Sequence, residues 1–325
     1  MKKVVLAGTI PAEARQMIRD QLGEGFEIVD TRSAEETVAV PGTDYVVTRG
    51  VKWPAQVIEQ LPDSVALLHR WGVGYDSIDI EAAGRRGIRV AICTGGNAEP
   101  VAELTIALIL AAYRKLPRLF ARAKEGRKDK EDIIAESYLL QDKMVGLIGL
   151  GNIGGKVARM AQGFGAKVQY YDVFRATPQM EQTLGVRYVS MEELLATSDI
   201  VSVHVPLLES TTHMIDKKAF DQMKPNALLV NTARGPIVDT QAMLEAIDSG
   251  KLMGAALDTI EGEPLPVGHP IHDNEKILLT PHGGGNTCDN LGNMVQIIVE
   301  NIREMSEGKV PGKKFIVNEA FLQKA

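Results

Sequence analysis

Cysteine is scarce in this chain: Cys93 and Cys288 are the only two among 325 residues. Two thiols cannot build a disulfide framework, and their rarity fits a reducing compartment, so a cytoplasmic protein is expected. Spaced cysteine and histidine ligands of the kind that enclose a structural metal are missing, and no metal is expected. Positive charge is outnumbered, with 36 Lys and Arg against 42 Asp and Glu for a net charge of −6. An acidic surface gains nothing from nucleic acid or an anionic membrane, so neither partner is expected. Uninterrupted apolar runs stay well below the roughly 20 residues needed to span a bilayer. The N-terminal "MKKVVLAGTIPAEA" imitates a signal peptide only faintly, because Thr9 and Pro11 break its apolar run; a first strand over 3–7 is the better reading.

Short β-branched runs alternate with helical patterns along the whole chain. "KVVLAG", "FEIVD", "DYVVTR", "VALLHR" and "IRVAIC" read as strands, with helical stretches near 12–22, 54–61 and 79–86. Near-continuous apolar strands separated by helices indicate a parallel sheet covered on both faces. A long apolar helix over 101–122 follows, starting near Asn97 or Glu99, and its all-round hydrophobicity implies burial in a core or a subunit interface. The charged stretch "KEGRKDKEDIIAESYLLQDK" then reads as solvated. A second series of strands comprises "MVGLIGLG", "KVQYYD", "DIVSVHVP", "ALLVNTAR", "MGAALD" and "ILLTPH", and a helix over 287–307 precedes the tail. The fold class expected is therefore α/β, with two Rossmann-like or flavodoxin-like parallel-sheet domains and a cleft between them. Residues 1–98 with 287–325 form a discontinuous substrate-binding domain, and 99–286 form the dinucleotide-binding domain.

The strongest local motif is "VGLIGLGNIGGKVARMAQGFGAKVQYYD". Gly149, Gly151 and Gly154 have the G-x-G-x-x-G spacing directly after a strand and at the opening of a helix. Gly149 permits the tight turn, Gly151 lets the backbone approach a pyrophosphate, and Gly154 allows close helix–strand packing. The amides of Asn152 and Ile153 then face the phosphates at the positive end of the helix. Asp172, ending the next strand, would accept from the adenosine ribose hydroxyls and repel a 2′-phosphate. NAD is thus the expected cofactor, although Arg175 lies three residues further on and leaves NADP as a lesser option.

A dinucleotide alone names no reaction. The ends of the later strands carry "NTARG" with Arg234, "AALDTIEGEP" with Asp258 and Glu263, and "TPHGGG" with His282. Singly each has a bland reading, since a lone histidine is more often a loop residue than a catalyst. Together they are the set that carbonyl reduction needs. Seven segments in order, "WGVGYDSID", "NAEPVAE", "VGLIGLGNIG", "HVPLLEST", "VNTARGPIVD", "GAALDTIEGEP" and "LLTPHGGG", make the chain resemble the D-isomer-specific 2-hydroxyacid dehydrogenases. That resemblance places Arg234, Glu263 and His282 at the family's catalytic positions. It places Val205, Pro206, Thr232, Ala233, Arg234, Asp258, His282 and Gly284 at cofactor contacts, with Asp258 at the nicotinamide carboxamide. It also implies that the backbone of Gly72, Val73 and Gly74 receives the substrate carboxylate, and that the protein is a homodimer.

The chemistry supports the transfer. A hydride arriving at a 2-oxo carbon creates an alkoxide that needs a proton, and an imidazole is suited to give it. Glu263 would orient the ring, and the forked guanidinium of Arg234 would hold the substrate carboxylate and polarise its carbonyl. Some positions depart from the resemblance. Trp71 stands where many relatives have a small residue, so it either narrows the substrate pocket or packs under the loop. The arm "EGRKDKEDIIAES" lacks the Gly-x-Trp that relatives often carry. Arg49 and Arg70 fall where phosphoglycerate dehydrogenases place arginines, which hints at a second acidic group on the substrate. Two competing classes remain: a nucleotide-sensing module of the corepressor type, and a formate- or phosphite-type hydride transfer on the same scaffold.

Overall fold

The computed structural model of the protein describes residues 1–128 and 130–322. Asp129, in the charged stretch, and the tail residues 323–325 lie outside them. The chain divides into two compact units, Met1–Asn97 with Gly285–Ala325, and Ala98–Gly284.

The first unit grows from five short, apolar, β-branched strands: β1 (Lys2–Gly8), β2 (Phe26–Thr31), β3 (Tyr45–Arg49), β4 (Leu67–Arg70) and β5 (Arg89–Ile92). They form one parallel sheet in the order β2-β1-β3-β4-β5. Parallel strands need crossovers, which the helices α1 (Ala12–Leu22), α2 (Ala34–Val38), α3 (Ala55–Ile58) and α4 (Ile80–Arg85) supply. The central strands Val4–Ala7 and Val46–Val47 are fully enclosed, which accounts for their lack of polar alternation. The free edge of β5 is not left open. Ile316 bridges Ala91 in antiparallel fashion, and Asn318 accepts from Val90 N while its amide donates to the Ile88 carbonyl. The C-terminal segment thereby covers an edge that would otherwise invite pairing with another chain.

The second unit opens with α5 (Ala98–Tyr113), α6 (Leu116–Lys124) and α7 (Glu131–Ala135). The single helix expected over 101–122 is in fact two. Pro117 in a continuous helix would have no N–H for the Tyr113 carbonyl and would clash with it. The chain turns instead at Lys115, in left-handed conformation (φ 52°), and Pro117 sits in the first turn of α6, where its missing donor costs nothing. The freed Tyr113 carbonyl accepts from the Tyr138 amide at 3.0 Å. Helix α5 packs into the core of its own unit through Ala102, Ile106 and Ile109. The charged stretch is tied down, with Asp132 accepting from Arg118 at 2.8 Å and Arg122 at 2.7 Å. Yet Phe120 and Ile134 remain 64% and 62% exposed.

Seven strands follow: β6 (Met144–Ile148), β7 (Lys167–Tyr171), β8 (Arg187–Tyr188), β9 (Ile200–Val203), β10 (Ala227–Asn231), β11 (Leu252–Leu257) and β12 (Ile277–Leu279). The intervening helices are α8 (Asn152–Gly163), α9 (Pro178–Leu184), α10 (Met191–Thr197), α11 (Lys217–Gln222) and α12 (Thr240–Asp248). The two-residue β8 was too short to show as a pattern in the sequence. All strands are parallel, in the order β12-β11-β10-β9-β6-β7-β8. The order reverses direction between β6 and β9, and ligands of open α/β sheets bind outside the carboxyl ends at such a point. Helix α13 (Leu291–Ser306) belongs to the first unit. It begins at 291 and not 287, because Asn290 and Asn293 both donate to the Gly96 carbonyl at 2.9 Å and hold the preceding residues in a loop.

Candidate active site

Because every strand of the second unit runs the same way, the residues that follow each strand collect along one edge of the sheet. Gly149 follows β6, Asp172 follows β7, Val205 and Pro206 follow β9, Thr232 to Arg234 follow β10, Asp258 to Glu263 follow β11, and His282 follows β12. Alternation of strands and helices is thus sufficient to gather residues more than a hundred positions apart.

The β6–α8 turn has the shape its glycines require. Gly149 takes φ 101°, a left-handed value that only glycine adopts cheaply. A Cβ on Gly154 would lie 2.2 Å from the Gly149 carbonyl oxygen, so helix and turn touch backbone to backbone. A Cβ on Gly151 would meet nothing within 4 Å, which leaves open space in front of the turn. At the start of α8 the amides of Asn152, Ile153 and Gly154 have no acceptor four residues back, so they and the positive end of the helix dipole are available to an anion. Asp172 accepts from Leu150 N at 2.8 Å and from Phe174 N at 3.0 Å, which fixes its carboxylate beside the turn. Arg175 does not face this carboxylate. It forms a two-pronged pair with Glu181 at 2.8 and 3.0 Å and lies over the Tyr188 ring. These features fit the adenosine and pyrophosphate of NAD, and they tie up Arg175, a cation that could favour a 2′-phosphate.

Other cofactor candidates line the same edge. The Val205 side chain lies 3.1 Å from where a Gly149 Cβ would be, and the Pro206 carbonyl accepts from Thr211 Oγ1. Thr232 is turned inward, its hydroxyl 2.9 Å from that of Thr105, so only its backbone faces the site. The Ala233 amide donates to Asn231 Oδ1, and Asn231 Nδ2 donates to the Arg234 carbonyl, which shapes the turn presenting Arg234. A Cβ on Gly235 would fall 2.1 Å from the Ile260 carbonyl carbon, so the β10 and β11 turns are in close backbone contact. Sequence reasoning did not single out His204, whose Nε2 meets Ser202 Oγ at 2.9 Å and whose buried Nδ1 has no partner among the described residues. Burial pushes its pKa down to about 4, so its ring is neutral near pH 7.

His282 Nδ1 stands 2.8 Å from Glu263 Oε1. A carboxylate can only accept, so Nδ1 carries the proton and the exchangeable position is Nε2. Nε2 has no protein partner among the described residues, and the side chain is 48% exposed. His282 itself has φ 52°, a strained value for a non-glycine residue, costing about 1–2 kcal/mol. Asp258 lies beneath it, 2% exposed, accepting from Thr280 Oγ1, Gly283 N and Gly284 N. Most of its lone pairs are thus spent on the 280–284 loop.

In the first unit, the loop after β4 is held from below. Arg70 Nε donates to the Gly74 carbonyl at 3.1 Å, Gly72 has φ 122°, and its carbonyl accepts from Cys93 N. Arg70 thus braces the loop. The amides of Val73 and Gly74 have no protein acceptor among the described residues. Arg49 donates to the Thr9 carbonyl at 2.6 Å and to Asn286 Oδ1 at 3.0 Å, is partly desolvated, and has no carboxylate partner among the described residues. It borders a cavity of about 180 Å³ with Trp71, Asn286, Cys288 and Met294. Trp71 is both: buried in the core and a wall of that cavity.

Among known proteins, the family described as "D-isomer specific 2-hydroxyacid dehydrogenase, NAD binding domain" matches residues 106–284, more than half of the chain. A glyoxylate reductase of Korarchaeum cryptofilum is 37% identical over 259 residues, covering 79% of this chain and 77% of that protein. A D-3-phosphoglycerate dehydrogenase of Archaeoglobus fulgidus is 39% identical over 308 residues, 94% of this chain but only 58% of the longer relative. The solved holo form of D-mandelate dehydrogenase from Rhodotorula graminis superposes with a TM-score of 0.87 at 30% identity, covering 97% of this chain and 98% of that one. The protein is therefore a member of the D-isomer-specific 2-hydroxyacid dehydrogenase family, an NAD-dependent oxidoreductase acting on the CH–OH group of 2-hydroxy acids.

Proposed function

We propose that the protein interconverts a 2-oxo acid and a D-2-hydroxy acid with His282 as the general acid/base, and that the pair His282 Nδ1–Glu263 Oε1 at 2.8 Å carries this reading. NADH, when bound, supplies the hydride. His282 Nε2 gives the proton to the carbonyl oxygen, so that C=O becomes CH–OH, and takes it back in the reverse direction. Glu263 holds the ring so that Nε2 faces outward. Arg234 binds the substrate carboxylate and polarises the carbonyl. In the first unit, the amides of Val73 and Gly74, which have no protein acceptor among the described residues, are carboxylate donors by the family resemblance, and Gly72 gives their loop its turn.

The guanidinium of Arg49 beside Trp71, which has no carboxylate partner among the described residues, favours a substrate with a polar or acidic far end over a purely apolar one. A panel of glyoxylate, hydroxypyruvate, its phosphate ester and benzoylformate, each run with NADH and NADPH, tests both substrate class and cofactor choice. His282→Ala is expected to lower kcat by about 10²–10⁴-fold with NADH affinity retained; undiminished turnover would remove His282 from the mechanism. A nucleotide-sensing module would bind NADH and turn over none of the panel. The acid at 263 favours proton-coupled carbonyl reduction over a formate-type reaction.

The reading includes a homodimer acting in the cytoplasm. The apolar side chains exposed on α6 and α7, Phe120 and Ile134, support the dimer, and the two free thiols support a reducing compartment. Light scattering at the chain mass of 35.3 kDa would refute the dimer.

A further inference from the structure

We propose that Thr280 is a positioning residue for His282, acting through the Asp258 carboxylate as a clamp on the loop 280–284. The inference rests on the reading of His282 as the acid/base and adds what keeps that side chain in place. His282 sits at φ 52°, a conformation a histidine leaves unless its surroundings impose it. A residue before proline is biased toward extended conformations, and the His282 amide donates back to the Thr280 carbonyl at 2.9 Å across a three-residue turn centred on Pro281. The same amide donates to the Asp258 carbonyl at 3.0 Å.

The remaining donors converge on the Asp258 side chain from both sides of His282. Thr280 Oγ1 reaches Oδ1 at 2.6 Å, Gly283 N reaches Oδ1 at 2.8 Å, and Gly284 N reaches Oδ2 at 2.8 Å. Asp258 is itself anchored, its amide donating to the Asn231 carbonyl at 2.9 Å. A buried carboxylate must have such donors, and it holds their bearers in return. Gly284 has no room for a side chain, since a Cβ there would lie 2.9 Å from Asp258 Oδ2. Of the three donors Thr280 alone is a side chain, so it alone can be removed without altering the backbone. Without its hydroxyl, Oδ1 keeps one donor, the carboxylate is free to turn, and His282 can relax away from the strained conformation that aims Nε2 outward.

Thr280→Val keeps the shape and removes the hydroxyl. It is expected to lower kcat about 10- to 100-fold, as displacement of a catalytic group by about an ångström does, a larger loss than any accompanying change in the Kd for NADH through Asp258. Thr280→Ser returns the donor and should bring kcat within about 3-fold of the parent. The imidazole ¹H–¹⁵N signals of His282, identified by their loss in His282→Ala, report the clamp without any substrate. They should move in Thr280→Val and return in Thr280→Ser. Unmoved signals in Thr280→Val, or a loss confined to NADH affinity, would overturn the clamp. If the signals move but His282→Ala turns over like the parent, the acid role of His282 falls and the clamp stands.

Discussion

Asp172 shows how a single residue can carry both selectivity and local structure. In the proposed ribose role its carboxylate would repel a 2′-phosphate, and it also accepts from the Leu150 amide within the glycine turn. Asp172→Ser should therefore raise the NADP-to-NAD ratio of kcat/KM by about 10- to 100-fold, mainly by harming NAD use, because removing a charged acceptor costs about 1.5–3 kcal/mol. Arg175 cannot help while Glu181 holds both of its prongs. Adding Glu181→Gln releases the guanidinium, and the double variant should use NADP better than Asp172→Ser alone. Steady-state kinetics with both cofactors decides the matter, and equal NADP use in the two variants would show that Arg175 stays out of reach.

At the scale of elements, the β6–α8 turn separates two glycines that the motif treats alike. A methyl on Gly154 would collide with the Gly149 carbonyl at 2.2 Å, whereas one on Gly151 would enter open space from an ordinary φ of −75°. Gly154→Ala should lower Tm and NADH affinity together. Gly151→Ala should leave Tm within about 2 °C and weaken NADH, because its methyl occupies the pyrophosphate's approach. Thermal unfolding and fluorescence titration of the two variants check this, and a fall in Tm for Gly151→Ala would contradict it. The motif itself was legible because it joins a strand, a turn and a helix within a few residues, and the strand–helix alternation gave the α/β class for the same reason. The sequence also supplied both partners of the His282–Glu263 pair, nineteen residues apart, through the resemblance and not through spacing. What it hid was tertiary. The break at Lys115 was written in Pro117, but the amide that satisfies Tyr113 comes from Tyr138, and no local pattern announces it. The donation of Arg70 to Gly74, which the sequence did not show beside its reading as a substrate contact, depends on how the chain after β4 returns. Thr280 drew no notice because a threonine at a strand end is unremarkable until a buried carboxylate lies against it.

Across the whole molecule, each unit encloses a histidine that resists protonation. His69 in the first unit accepts from Asn301 Nδ2 at Nε2, 2.9 Å away, and its Nδ1 lies 3.2 Å from the Arg70 carbonyl, so the neutral ring with hydrogen on Nδ1 satisfies both neighbours. Burial pushes its pKa down to about 4, as it does for His204 in the second unit. In the unfolded chain both rings take up a proton near the ordinary value of about 6.5. The folded-state pKa values are the lower ones, so between about 6.5 and 4 the unfolded state binds more protons and stability falls as pH falls. The contribution of the neutral rings is thus fully present above about pH 6.5 and is progressively lost on the way to pH 4. Urea unfolding at pH 7.5, 6.0 and 5.0 should show this decline. His69→Leu cannot titrate at that position: it should be less stable at pH 7.5, because Asn301 and the Arg70 carbonyl lose a partner, and its stability should fall less steeply with acid. A slope as steep as the parent's would mean that groups other than His69 govern the acid response.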